Sequence, residues 1–365
     1  MKQLDLLSYQ TVNESFRKRM IFRVGIDCGL FVEMNHLINA MLYFLAHSIK
    51  FQLYSKDANF GTGAGWTEYF QPFCDEVQET FHKKYNYHRL PTWRRIFKLC
   101  RIQKSPGPIA WKLKSIAKNC IGHLLAFKAY KEFVLLTQDV PFEPDKHYVI
   151  SELGINCSYY EAYKLLARMI WRFQPEIEQD KLSYLERLNL PAIYDGIQIR
   201  GGDKVKESNL ISGIHVMQKL NPENGSTVFI LTDDYRQMKI LQSKYPYLTL
   251  LTTCQKEEAG YNHKEFSKSS PSEKKKAITR LLISVDLLLN SRRFVGSITT
   301  GPSVFIMKQR IDDLQSQAVD CPKDELASTL LLTIDTRAAI SSRNMQTELT
   351  NHLCVFQYQS VESVG

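Results

Sequence analysis

No stretch of this chain is apolar for long enough to span a bilayer. The most apolar runs, Leu37–Leu45 and Leu281–Leu289, are short and are interrupted by Asn39 and Asp286. Met1 to Met20 is polar and has no continuous apolar core, so a secretory signal is not expected. The eight cysteines form no CxxC and no metal-ligand spacing, which argues against a structural zinc site. Without an export signal they are expected to be free thiols in a reducing cytosol. The nine histidines include no HxH or HxxxH pair, so histidine metal chemistry has no support. Internal repeats and low-complexity tracts are also missing.

Acidic residues are absent from one long segment. Between Phe81 and Lys131 there are 13 Lys or Arg and no Asp or Glu, so the rest of a chain with net charge +9 carries −4. Such a block favours an anionic partner, with a solvated basic face as the alternative. It has few of the regularly placed aromatics of a single-strand platform, so nucleic acid is not expected. Peripheral contact with an anionic membrane through residues 81–131 is the preferred expectation, as is a cytoplasmic location at the membrane's inner face.

The apolar spacing predicts alternating strands and helices. In the first half, Ile21–Gly25 and Phe51–Tyr54 suit strands, and Glu33 to about His47 suits an amphipathic helix. Ile109, Leu113, Ile116, Ala117, Cys120, Ile121, Leu124 and Leu125 trace one face of a further helix, the body of a basic insertion over about 81–131. Glu161–Arg172 is expected to be helical and Leu182–Pro191 to cross between two lobes. In the second half the predicted strands are Ile193–Arg200, Thr227–Leu231, Leu248–Thr252 and Arg293–Ser297. Helices are predicted at Tyr235–Lys244, at Lys275–Asn290 and after Gly301, with a strand-like run at Leu330–Thr333. This alternation implies a doubly wound parallel sheet, whose ligands sit outside the carboxyl ends of the strands.

Three loops occupy such ends. In Gln198-Ile199-Arg200-Gly201-Gly202-Asp203-Lys204, Arg200 offers bidentate donation to a phosphate, and the glycines let backbone N–H groups approach an anion. The alternative is a Gly-Gly turn closed by an Arg–Asp surface pair. Thr232-Asp233-Asp234 suits either a divalent cation or a helix N-cap, and capping is expected for at least one of the pair. Ser297 to Ser303, with Thr299, Thr300 and Gly301, opens a helix and makes either an anion seat or an ordinary capped turn. Gly61, Gly63 and Gly65 imitate a dinucleotide loop, but Trp66 breaks the GxGxxG spacing, and a flexible turn is expected there.

Taken in order, these segments resemble glycosyltransferase family 23, the α1,6-fucosyltransferases that include the N-glycan core enzyme and the rhizobial nodulation enzyme. The resemblance lies in two regions, about residues 25–77 and 193–310. In the first it is carried by Gly29-Leu30, Asn35-His36 and Gly65-Trp66-Thr67-Glu68-Tyr69-Phe70-Gln71-Pro72. In the second it is carried by the Gln198–Val205 loop, Thr232-Asp233-Asp234, Lys244-Tyr245-Pro246, and Asp286 ahead of Phe294.

The resemblance implies a two-lobed GT-B-like α/β architecture, divided as residues 1–188 (acceptor side) and 189–365 (nucleotide-sugar side). It implies an inverting, metal-independent transfer of a sugar, L-fucose by expectation, from a GDP-sugar co-substrate to a glycan, with no cofactor. Arg200 would hold the β-phosphate and Asp286 would recognise guanine. Thr300 and Gly301, beside Thr299, would line the diphosphate with the backbone near Gly29 and Leu30. Gln198, His36, Asp233 and Asp234 complete the donor set. Asp203 and Lys204 would organise the site around the reacting hydroxyl, with Glu207 as the candidate base. The chain departs from the family at Gln198 (a His there), Gly201 (a second Arg), Pro302 (a Gln) and Ser208 (the base carboxylate). The core enzyme's anchor, stem and SH3 domain have no counterpart, so a bacterial enzyme acting on cell-surface polysaccharide or lipid-linked oligosaccharide is expected. Another GDP-hexose as donor, protein O-fucosylation, and a non-catalytic polyanion binder are the alternatives.

Overall fold

Two parallel sheets organise the chain, each built around its own first strand. The computed structural model describes residues 4–25, 29–58, 60–85, 108–137, 140–202 and 211–331. In the first sheet β1 (Lys18–Arg23) lies between β2 (Ile49–Tyr54) and β3 (Leu135–Thr137) and runs parallel to both. Side chains alternate across a strand, and here both faces are covered. Met20 and Phe22 join the main apolar core, whereas Ile21 packs with Tyr54, Ala126 and Leu136 in a separate cluster on the other face.

Helix α1 (Leu6–Ser15) is capped by Asp5, which accepts from Ser8 N at 2.8 Å. The main-core face of the sheet carries α2 (Leu30–Ala46). The sequence predicts an amphipathic helix from Glu33, but α2 begins three residues earlier and is buried on nearly every side. Its polar residues are therefore paired inward. Glu33 accepts twice from Gly25 N, and Asn35 and Asn39 accept from the hydroxyls of Tyr163 and Tyr159. After the short α3 (Phe81–Tyr85), helix α4 (Pro108–Tyr130) covers the opposite face through Ala126. Residues 86–107 of the basic segment lie outside the described residues.

A small antiparallel pair, β4 (Tyr148–Ile150) and β5 (Ile155–Cys157), leads to α5 (Tyr159–Ile170). A capping box of Ser158 and Glu161 starts that helix. The predicted crossing at Leu182–Pro191 begins within the second half of α6 (Pro175–Leu188), which ends at Asn189 in the left-handed region. The glycine cluster is not a loose turn. Gly65 has φ +73° and opens a 3-10 turn (Gly65–Glu68), and Trp66 is buried, stacked on Phe70 at 4.3 Å.

The second sheet contains β6 (Asp195–Ile199), β7 (Thr227–Thr232), β8 (Thr249–Leu251), β9 (Phe294–Gly296) and β10 (Ser316–Ala318). Its spatial order is β10-β9-β6-β7-β8, with every pairing parallel. The chain steps outward from β6 to β8, then returns to add β9 and β10 on the other side. On one face Ile197, Ile199, Val228 and Ile230 pack with α7 (Gly213–Leu220) and α8 (Tyr235–Lys244). On the other, Phe229, Leu231 and Phe294 join the main core with α10 (Pro271–Leu289) and α11 (Gly301–Gln309). The six-residue α9 (His263–Lys268) precedes α10. The predicted run at Leu330–Thr333 is not a strand where it is described: Leu330 is buried on a final helix, α12 (323–331), and residues 332 and 333 lie outside the described residues.

Two charged groups fasten elements around this sheet. Asp195, wholly buried, accepts from Arg292 Nε at 3.0 Å and Arg293 Nη2 at 2.5 Å, holding β6 against the entry to β9. Burial pushes its carboxyl up, but the bonds from Arg293 and Arg292 outweigh it and leave the group below the ordinary value. Lys308 on α11 is buried against α5, donating to Tyr159 Oη at 3.3 Å with its Nζ 5.2 Å from the Tyr163 ring centre.

Burial holds the Lys308 pKa well below the usual lysine range. Between the lowered native value and the unfolded value of ~10.4 the unfolded chain binds more protons than the native state, so native stability should rise with pH through that window. Lys308→Met should be more stable than wild type at neutral pH, with an advantage shrinking by at most about 1.4 kcal/mol per pH unit as pH rises. Urea unfolding of both proteins across pH tests this, and parallel curves would mean that the native ammonium is charged.

Candidate active site

The order β10-β9-β6-β7-β8 reverses direction between β6 and β9, and that is where an open parallel sheet leaves a crevice. The register Gly196↔Phe294 and Ile197↔Val295 brings Gln198 level with the end of β9. Gln198 is buried, and its Oε1 accepts from the hydroxyls of Thr300 and Ser303. This side chain thus fastens the loop after β9 to the end of β6. On the far side of that loop Asp320 accepts from Ser297 Oγ at 2.6 Å and Ile298 N at 3.0 Å. Within it Thr299 and Ser297 hydroxyls share a bond of 2.6 Å.

Arg200 emerges two residues beyond Gln198. Its Nη1 donates to Asp233 Oδ2 at 2.6 Å, its guanidinium lies 4.8 Å from the Tyr261 ring centre, and its side chain is 26% exposed. Asp233 also accepts from Gly201 N at 2.7 Å and Tyr261 N at 2.8 Å. An Arg–Asp pair is therefore present, but its acid is Asp233 and its cation is partly exposed. Asp234 does the other expected job. It caps α8, accepting from Arg236 N at 3.0 Å, and the Arg236 guanidinium beside it holds its carboxyl below the usual value. Among the described residues no group of three or more His, Cys, Asp or Glu is placed to hold a metal ion.

Two helix N-termini meet beside this loop. Thr300 is the N-cap of α11, and a Cβ placed on Gly301 would lie 3.2 Å from Phe31 Cβ and 3.7 Å from Val32 N in the first turn of α2. Gly29 is the N-cap of α2, and a Cβ there would meet nothing within 4 Å. The partial positive ends of α2 and α11 therefore converge next to open space, an arrangement that favours an anion.

The remaining candidates are distributed unevenly. Leu30 is a core residue, so only its backbone can reach the opening. His36 falls on the second turn of α2, about 9 Å along the helix from its start at 1.5 Å per residue, instead of at its entry. Asp286 is one aromatic layer away. It accepts from Trp171 Nε1 at 2.9 Å and pairs with Lys181 at 3.3 Å, and the Trp171 ring lies 6.2 Å from that of Phe31. A nucleobase edge reaching Asp286 would share the carboxylate with these donors, since each oxygen retains a lone pair. Asp203, Lys204 and Glu207 lie outside the described residues.

No family model matches the chain, and no curated protein matches it. Several solved structures are similar to it. Fucosyltransferase NodZ from Bradyrhizobium is 14% identical, over 80% of this chain and 91% of that one, with a TM-score of 0.45. A variant of Arabidopsis thaliana FUT1 in complex with GDP is 12% identical over 84% and 70%, with a TM-score of 0.47. POFUT1 in complex with GDP is 11% identical over 83% and 98%, with a TM-score of 0.45. At such scores the functional reading rests on this chain's own site.

The loop from Thr253 to Asn262 carries no motif, and sequence reasoning missed it. It supplies Tyr261 beneath Arg200, and its Gly260 N donates to Asp233 O at 2.8 Å. Gly202 (φ +65°) and Gly260 (φ +109°) press together so closely that a Cβ on Gly202 would fall 2.2 Å from Tyr261 O. The one readable signal was Gly260 beside an aromatic residue. Because Asp233 gathers three donors from two loops, Asp233→Asn should turn one acceptor into a donor facing N–H groups. We expect a loss of about 2 kcal/mol in urea unfolding. An unchanged midpoint would remove Asp233 as the organiser.

Proposed function

We propose that this chain is a two-lobed, GT-B-like transferase that moves a sugar, L-fucose by preference, from a GDP-sugar to a hydroxyl of a glycan. The observation that carries the reading is the approach of the first turns of α2 and α11 beside the switch point between β6 and β9, with Arg200 held at the carboxyl end of β6. The resemblance of the same loops to glycosyltransferase family 23 supports the choice of donor.

The leaving group of such a reaction gains negative charge as the glycosidic bond breaks, and stabilising that charge is the main demand on the site. In this reading the diphosphate lies across the N-termini of α2 and α11, and Arg200, steadied by Asp233 and Tyr261, faces the β-phosphate. The acceptor oxygen attacks the anomeric carbon from the opposite side. The carbon–oxygen bond to the diphosphate breaks, the configuration inverts, and the hydroxyl proton passes to Glu207 or Asp203. Lys204 stands beside that step. Asp286 reads the guanine edge with its remaining lone pairs, held in place by Trp171 and Lys181. Arginine and helix termini supply the positive charge, so no divalent metal is required. The acceptor we favour is a cell-surface polysaccharide or a lipid-linked oligosaccharide.

GDP and GDP-fucose should raise the melting temperature, since a ligand that binds only the native state stabilises it, while UDP and UDP-sugars should not. Arg200→Ala should lower turnover by about three orders of magnitude with the melting temperature retained. Arg200→Lys should recover less than about tenfold, because the planar fork is lost. Activity should persist in excess EDTA. Protection by UDP alone would reject the donor assignment, and protection by GDP-mannose without GDP-fucose would replace the sugar.

A further inference from the structure

Over the last described turns of α4 the apolar stripe faces outward. Its spacing, which begins in the sequence at Ile109, predicts the buried face, yet Cys120, Ile121 and Leu124 are exposed, Leu124 to 67%. The surface that packs on the sheet is made by Gly122 and Ala126 instead. Gly122 lies so close to the sheet that a Cβ there would sit 3.2 Å from Leu136 Cδ1. Small residues let the helix dock closely, and that rotates the large apolar ones outward.

The exposed stripe continues onto the edge of the first sheet. Phe127 and Phe133 rings are 4.8 Å apart, Phe133 is 82% exposed, and Leu135 follows on β3, an edge strand. Contiguous apolar surface of this kind marks a docking site in a folded chain. Its surroundings are basic. Lys128 and Lys131 are exposed beside it, the nearby Glu132 is paired with Arg19 at 2.5 Å, and the segment from Phe81 to Lys131 contains no other kind of charge. An apolar strip rimmed by lysines, with no acid of its own, is complementary to a surface that is apolar within and anionic outside.

We propose that this face, Ile121, Leu124, Phe127 and Phe133 with Lys128 and Lys131, seats the protein on the surface of an anionic lipid bilayer. The apolar residues enter the headgroup boundary and the lysines meet the headgroups. Helix α4 covers the face of the first sheet opposite α2, so docking leaves the first turn of α2 uncovered. The proposal is independent of the transferase reading and is tested without any sugar donor.

The test is flotation of the full chain with vesicles of phosphatidylcholine alone or mixed with phosphatidylglycerol. Wild type should float with the mixed vesicles at least about tenfold better than with phosphatidylcholine, and less well as salt rises from about 0.05 M to about 0.5 M. Leu124→Ser/Phe127→Ser/Phe133→Ser should lose about tenfold or more in binding at low salt with its melting temperature unchanged. Lys128→Gln/Lys131→Asn should weaken binding mainly at low salt. Should the triple variant melt early, Leu124→Ser alone, on the most exposed helical position, serves in its place. Failure of wild type to float, or flotation of the variants equal to wild type, overturns the proposal. So does a wild-type dimer in sedimentation that the triple variant dissociates without any vesicle binding, or salt-sensitive nucleic-acid binding lost in the lysine variant without flotation.

Discussion

The contact on which the site depends is the approach of α11 to the first turn of α2 at Gly301 and Phe31. Each helix begins at the carboxyl end of a different parallel sheet, so each brings unsatisfied backbone N–H groups to its own edge. Only when the two ends meet does their positive potential overlap. Glycine at the contact eases it, since a Cβ there would sit 3.2 Å from Phe31 Cβ and its neighbours would have to give by a few tenths of an ångström. Everything else near the opening maintains that approach. Gln198 fastens the loop from β6, Asp320 fastens it from β10, and Lys308 and the paired tyrosines hold α11 against α5.

Arg200 adds a second constraint. A guanidinium at a sheet edge is mobile unless something opposes it, and an acid that opposes it also neutralises it. Here Asp233 shares its charge among a guanidinium and two backbone N–H groups, so no one donor takes all of it. The Tyr261 ring supports the cation's face without adding a full negative charge. The result is a cation held in a set direction and partly exposed, unlike a fully buried structural pair.

Much of the second sheet was legible in the sequence. Helix α8 was predicted at its observed bounds, and β7 and β9 to within a residue or two, because their apolar runs lie between loops of small and polar residues. The loops holding Arg200, Asp233 and Thr300 were readable because each follows a strand. The loop holding Tyr261 was not, since it contributes through backbone contacts that any sequence could make. The bounds of α2 were misjudged for a related reason: Phe31 packs against Phe305 of α11 and does not continue the stripe that begins at Leu37.

Helix α4 marks the limit most clearly. Periodicity established that 108–130 is helical and that one side of it is apolar. It could not say which side meets the sheet, because that depends on how closely Gly122 and Ala126 allow the helix to approach, and closeness is a property of two surfaces. The sequence by itself determined the alternation of elements, the position of Arg200 at a strand end and the one-sided charge of the basic segment. Tertiary structure alone decided that Asp233 pairs with Arg200, that α2 and α11 start side by side, and that Ile121 and Leu124 of α4 face outward. Local pattern reports what each segment can bury, whereas contacts between segments distant in the chain decide what it does bury.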